Sequence, residues 1–151
     1  MGSDSQLNGY QKVKVVGVYM ASAPEGSTPT PIVLLENKDE KVLPIYIGAS
    51  EAFSIQTALE GMSYPRPLTH DLLVSMLEGL NSKIAKIIID DLDDGVFFAR
   101  IIVTRNGDEF EFDARPSDGM AIAVRTKSPI FVSKKVMEQA SVDRDAYTAG
   151  A

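Results

Sequence analysis

The chain has no cysteine, no tryptophan and a single histidine among its 151 residues. Without cysteine there is no disulfide framework, no thiolate zinc site and no cysteine nucleophile. No apolar run reaches the ~18 residues that cross a bilayer as a helix. The first residues, Met1-Gly-Ser-Asp-Ser-Gln-Leu-Asn8, lack the basic segment and apolar stretch of a secretory leader. The expectation is a cytoplasmic setting with no membrane partner. A Gly-rich phosphate loop, GxSxG, HExxH and any pair of histidines are all missing, which removes the motif-marked phosphate-loop, serine-hydrolase and zinc-protease chemistries. Positive charge is also scarce, with 15 Lys and Arg against 21 Asp and Glu and a net charge of −6. A protein that coats nucleic acid non-specifically needs the opposite balance. A small basic cleft, or a bound metal, can still supply local positive charge.

What remains is the composition of a globular domain, 44% hydrophobic and 24% charged. At this length one domain with a substantial core is expected. Residues 1–10 read as a flexible arm, 11–140 as the domain and 141–151 as a flexible tail. Strands are expected at 12–20, 31–36, 41–47, 84–90, 96–104, 109–114 and 130–132, where apolar β-branched residues run between turn residues. Asn106-Gly107 is a type I′ hairpin signal. In 109–114, Phe110 and Phe112 alternate with Glu109, Glu111 and Asp113, one set on each face. Helices are expected after Ser50, Thr69, Ser117 and Ser133, each taken as an N-cap. In the second, Leu72, Leu73, Met76, Leu77 and Leu80 are the expected buried stripe.

The chain also repeats itself. At one constant offset and with no gap, Leu34-Leu35 fall on Ile101-Ile102, Leu43 and Ile45 on Phe110 and Phe112, and Ser50-Glu51 on Ser117-Asp118. The expected fold is therefore α+β: a single domain from a duplicated β-hairpin-plus-helix unit, with a mixed or antiparallel sheet and packed helices. Duplication would set Glu51 and Asp118 in related positions.

Chemistry concentrates in Pro65-Arg-Pro-Leu-Thr-His-Asp71 and in Asp113-Ala-Arg-Pro-Ser-Asp118. His70 is a candidate general base or metal ligand, or a structural histidine at a helix start. Glu51, Asp113 and Asp118 offer the oxygen ligands that Mg²⁺ or Mn²⁺ prefer. Glu51 and Asp118 equally suit the positive end of a helix dipole. Arg66 and Arg115 each adjoin a proline just before a helix, where a fixed guanidinium grips phosphate or forms a structural ion pair. Gly119 follows Asp118 where a helix former is expected; it either loosens the helix start or leaves room for a ligand.

Leu43-Pro-Ile-Tyr-Ile-Gly48, Glu51-Ala52, Ala58-Leu-Glu-Gly61, Pro65-Arg-Pro-Leu-Thr-His-Asp-Leu72 and Asp113-Ala-Arg-Pro-Ser-Asp118, in that order, resemble the bifunctional nuclease domain family over about residues 12–140. The resemblance implies a nuclease hydrolysing phosphodiester bonds of DNA and RNA, in a small stand-alone form. Its motif positions fall here on Glu51, Arg66, His70, Asp71, Asp113, Arg115, Ser117 and Asp118. The roles expected on that basis are His70, Glu51, Asp118 and Asp71 in catalysis, and Arg66, Arg115 and Ser117 on the substrate. Glu51, Asp113 and Asp118 would hold Mg²⁺ or Mn²⁺. The alternative is a non-catalytic module binding a small anion or a protein partner. A homodimer is expected from exposed strand edges.

Overall fold

The computed structural model describes residues 7–21 and 24–145; the outer parts of the expected arm and tail, residues 1–6 and 146–151, lie outside it. The strands are β1 (Tyr10–Ala21), β2 (Thr30–Glu36), β3 (Lys41–Tyr46), β4 (Ser82–Asp93), β5 (Val96–Arg105), β6 (Asp108–Ala114), β7 (Ile130–Ser133) and β8 (Val142–Asp143). They form one sheet in the order β6-β5-β4-β7-β1-β2-β3-β8. Every pairing is antiparallel except β4 with β7. The chain is an α+β fold with a mostly antiparallel sheet. Long β1 joins its two halves, since Tyr10–Val13 pair with β7 while Lys14–Ala21 pair with β2. Both central residues of the β5–β6 turn, Asn106 and Gly107, have positive φ (51° and 85°), as a type I′ turn requires. The expected boundary at residue 140 falls inside the fold, because Val142–Asp143 pair with Lys41–Val42 of β3.

The helices are α1 (Ala49–Leu59), α2 (Thr69–Gly79), α3 (Pro116–Thr126) and α4 (Lys134–Ala140). Among the described residues no helix is long and apolar enough to cross a membrane. α3 lies over β4 and β5 and packs against both α1 and α2. Leu35, Leu43, Ile45, Ile55, Ile87, Ile89, Ile101 and Met120–Ala123 form the core between sheet and helices. Gly119 is what lets α3 come so close. A Cβ at that position would stand 2.8 Å from Cγ2 of Ile87, itself fully buried. The space beside Gly119 is thus filled by the sheet and is not room for a ligand.

Three expected N-caps lie inside their helices, since the caps of α1, α2 and α3 are Gly48, Leu68 and Arg115. Pro116 opens α3 because its fixed φ suits the first helical position. Asp71 closes the start of α2 by accepting the Leu68 N–H at 2.9 Å. Ser133 caps α4 as expected, accepting from Val136 N–H at 3.2 Å.

The expected buried stripe of α2 is the principal correction. Leu72, Leu73, Met76 and Leu80 are 39–57% exposed. The inner row is His70, Val74 and Leu77. Polar bonds made by His70 and Asp71, described below, fix the rotation of the helix against its apolar content.

On the sheet face away from these helices, Asp90 joins three strands. Tyr10 Oη donates to it at 2.7 Å, and Arg100 donates through Nε and Nη2 at 2.7 and 2.9 Å. Burial alone would push the Asp90 carboxyl up; the bonds from Arg100 and Tyr10 outweigh it and hold the group below its usual value. A carboxyl held low when folded stabilises the fold above its ordinary pKa of ~3.9 and loses that contribution as pH falls through the lowered value. Asp90→Asn should therefore lower the melting temperature at pH 7 and flatten its decline below about pH 4, read by thermal denaturation across an acid series.

Candidate functional site

The α1–α2–α3 junction carries a chain of polar contacts. His70 stands at the second position of α2 and is 7% exposed. Its Nδ1 lies 2.6 Å from Oγ of Ser54, and its Nε2 lies 2.9 Å from Oδ1 of Asp118. An ionised carboxylate only accepts, so Nε2 carries a proton toward Asp118. In the neutral ring Nδ1 then accepts the Ser54 hydroxyl proton. The other Asp118 oxygen, Oδ2, takes both Nε (2.9 Å) and Nη2 (2.8 Å) of Arg115. Arg115 Nη2 also reaches Oε2 of Glu51 at 3.3 Å. The chain Ser54–His70–Asp118–Arg115 thus runs from the buried helix junction to the surface, where Arg115 reaches back to the largely buried Glu51 side chain. Ser54 is 5% exposed, while the Arg115 side chain is 64% exposed.

Local structure fixes each member. Glu51 sits in the first turn of α1, and its carboxylate occupies the space into which any side chain at Gly48 would project. Pro116 sets the direction of α3, so Arg115 as cap and Asp118 in the first turn share one edge. The Asp118 hydrogen bond holds the Arg115 pKa above even its usual value, so the guanidinium stays charged.

Asp71, adjacent to His70, points elsewhere. Arg125 Nε donates to its Oδ1 at 2.6 Å. That bond lowers the Asp71 pKa against the opposing effect of burial, with help from the Leu68 N–H. Arg125 also donates from Nη1 to the backbone oxygens of Ser54 (3.2 Å) and Ala121 (2.9 Å), tying the three helices together. Ser117 is buried in the first turn of α3. Arg66 is exposed in the α1–α2 loop and forms no ion pair among the described residues.

Of the three expected metal ligands, the structure brings Glu51 and Asp118 together through Arg115. Asp113 pairs across the ladder with Arg100, on the sheet face opposite the helices. Among the described residues no group of three or more His, Cys, Asp or Glu side chains is arranged to hold a metal. The Arg115 guanidinium stands between the Glu51 and Asp118 carboxylates.

Ser54 and Arg125 are the members that sequence reasoning missed. A hydroxyl on the buried face of an apolar helix needs a partner, and that was the available signal for Ser54. Arg125 stands in the last turn of α3, and its partner Asp71 lies 54 positions away, so nothing local marks the pair.

The model of the bifunctional nuclease domain matches residues 32–145, which include every residue of this cluster. An uncharacterized protein of Mycobacterium tuberculosis (strain H37Rv) is 39% identical over 145 residues, covering 91% of this chain and 84% of that protein. Bifunctional nuclease 2 of Oryza sativa subsp. japonica is 29% identical over 115 residues, covering 73% of this chain and 35% of that protein. Bifunctional nuclease 1 of Arabidopsis thaliana is 27% identical over 111 residues, covering 70% and 34%. The share of the chain that the family model covers, with the full cluster inside it, places this protein in the bifunctional nuclease domain family.

Proposed function

We propose that this protein hydrolyses phosphodiester bonds of nucleic acid, DNA and RNA alike, at the edge formed by Arg115, Asp118 and Glu51. The observation that carries this reading is the polar chain from Ser54 to Arg115. Its buried members have both ends satisfied, so their work is to hold Asp118. Its outer members face solvent, where a phosphate can arrive. Arg115 donates from a planar fork that matches two phosphate oxygens. When phosphate draws that fork away, Oδ2 of Asp118 is free to take a proton from attacking water. His70 keeps the carboxylate aimed and bears part of its charge. Arg66, exposed on the neighbouring loop, is the second cation on this reading.

Mg²⁺ or Mn²⁺ enters the reading only once Arg115 has moved. Two carboxylates plus substrate phosphate is a set that Mg²⁺ accepts. Plasmid DNA and RNA incubated with protein purified by two independent routes, with and without EDTA, test the proposal. Loss of cleavage in EDTA would bring the cation to Glu51 and Asp118. Unchanged cleavage would leave water activation to Asp118 alone. Absence of cleavage by both preparations, with or without added cation, would defeat the nuclease reading.

A second reading rests on the closure of Arg115 onto both carboxylates. A site whose cation is already paired suits a module that exchanges internal ion pairs for a small anion or an acidic protein segment. Binding of inorganic phosphate or oligonucleotide without turnover would favour it.

A further inference from the structure

We propose that the outer face of α2 is the contact surface of a homodimer, in which α2 packs on its own copy across a two-fold axis. An amphipathic helix normally turns polar residues to solvent, and α2 does so only along one flank. Its inner row is His70, Val74 and Leu77, against the core. Its acids, Asp71 and Glu78, share one flank, and Asp71 marks that flank as the side toward Arg125 of α3. The remaining surface carries Leu72 (50% exposed), Leu73 (39%), Met76 (57%) and the C-cap Leu80 (57%), with Ser75 and Gly79 between them. It carries no charge.

Two features point to a second copy as the occupant. Leu72, Met76 and Leu80 stand at i, i+4 and i+8, a single ridge. Identical i±4 ridges fit each other's grooves at a crossing of about −50°, and the small Ser75 and Gly79 provide the grooves. A two-fold contact is self-complementary by construction. The area is also suitable. Leu72, Leu73, Met76 and Leu80 together present on the order of 300 Å² of apolar surface, which suits the centre of an interface of about 800 Å² per partner.

Charge decides against a dimer through the β6 edge of the sheet. Edge-to-edge pairing of β6 would set Asp108, Glu109, Glu111 and Asp113 against their own copies in a chain that is already acidic. Like charges across a ladder are destabilising, and charged edges are how sheets resist such addition. The α2 face brings no like charges together.

The inference is independent of the nuclease reading, and its test does not use activity. Sedimentation velocity of the full chain should show a concentration-dependent dimer. Leu72→Lys with Met76→Lys should raise the dissociation constant by about 100-fold or more, because the loss of two central anchors is worth decades in affinity. The absence of native cysteine makes a second arm clean. Ser75→Cys should form a disulfide-linked dimer on mild oxidation, while Glu138→Cys on α4 should not. A chain that stays monomeric at ~100 µM would overturn the proposal. So would a dimer whose affinity the double lysine variant leaves unchanged and that Ser75→Cys does not trap.

Discussion

Asp118→Asn should lower nucleic-acid cleavage by about 10²–10⁴-fold, the range for losing a positioned proton acceptor, while leaving the fold intact. The substitution suits its surroundings. The asparagine oxygen can keep the Arg115 fork on the Oδ2 side. Its NH₂ then faces Nε2 of His70, which becomes an acceptor when the ring proton moves to Nδ1, and Nδ1–H donates to Oγ of Ser54. The two bonds of His70 survive in reversed sense, Arg115 still donates to the side-chain oxygen, and the negative charge is lost. The melting temperature should stay within a few degrees of the parent. His70→Ala is a harsher change. It empties a site that is 7% exposed and leaves the buried Ser54 hydroxyl without its partner, so a fall in both activity and stability is expected. Ser54→Ala should act only through His70, with a drop of about 10-fold that corresponds to one neutral hydrogen bond. Cleavage that persists undiminished in both Asp118→Asn and His70→Ala protein would mean that this cluster is not the catalytic centre.

Much of the scaffold is legible in the sequence, because strands and turns obey local rules. The positive φ values at Asn106 and Gly107 follow from residue types that tolerate them, and the alternation in β6 follows from the pleat alone, since Phe110 and Phe112 share the helix side of the sheet yet stay exposed. Helix orientation is different in kind. The apolar residues of α2 cover most of its circumference, so hydrophobic periodicity leaves its rotation undetermined. Two polar bonds set it: His70 to Asp118, which lies 48 positions further on, and Asp71 to Arg125, which lies 54 positions further on. Long-range pairings of this kind leave no mark in any short window. For the same reason the candidate carboxylates could be named from their helix-start positions, while the guanidinium that bridges Glu51 and Asp118 required coordinates. Asp113 shows the converse, since proximity in sequence to Asp118 does not place it on the same side of the sheet.

Arg125→Ala should cost about 2–3 kcal/mol of stability and weaken activity as well, although this side chain never meets solvent freely or approaches the proposed phosphate position. The Arg125 side chain is 10% exposed and serves α2 through Asp71, α1 through the Ser54 carbonyl and its own helix through the Ala121 carbonyl. Removing one member of a buried ion pair typically costs 3–5 kcal/mol. The lower figure applies because the Asp71 side chain is 43% exposed and water can rehydrate it. Asp71→Asn should accordingly cost less than Arg125→Ala, since arginine would keep its two carbonyl acceptors. Lysine should rescue poorly at position 125, because one ammonium on a flexible stem cannot reproduce a planar fork that reaches three acceptors on three helices. The loss of activity has a geometric source. Ser54 lies on one of the tied helices and His70 on another, so loosening Arg125 lengthens the contact that aims His70 at Asp118. Thermal denaturation beside kinetics separates the two effects. If Arg125→Ala loses stability while its cleavage rate well below the melting temperature matches the parent, the tie is structural only and the site tolerates movement between α1 and α2.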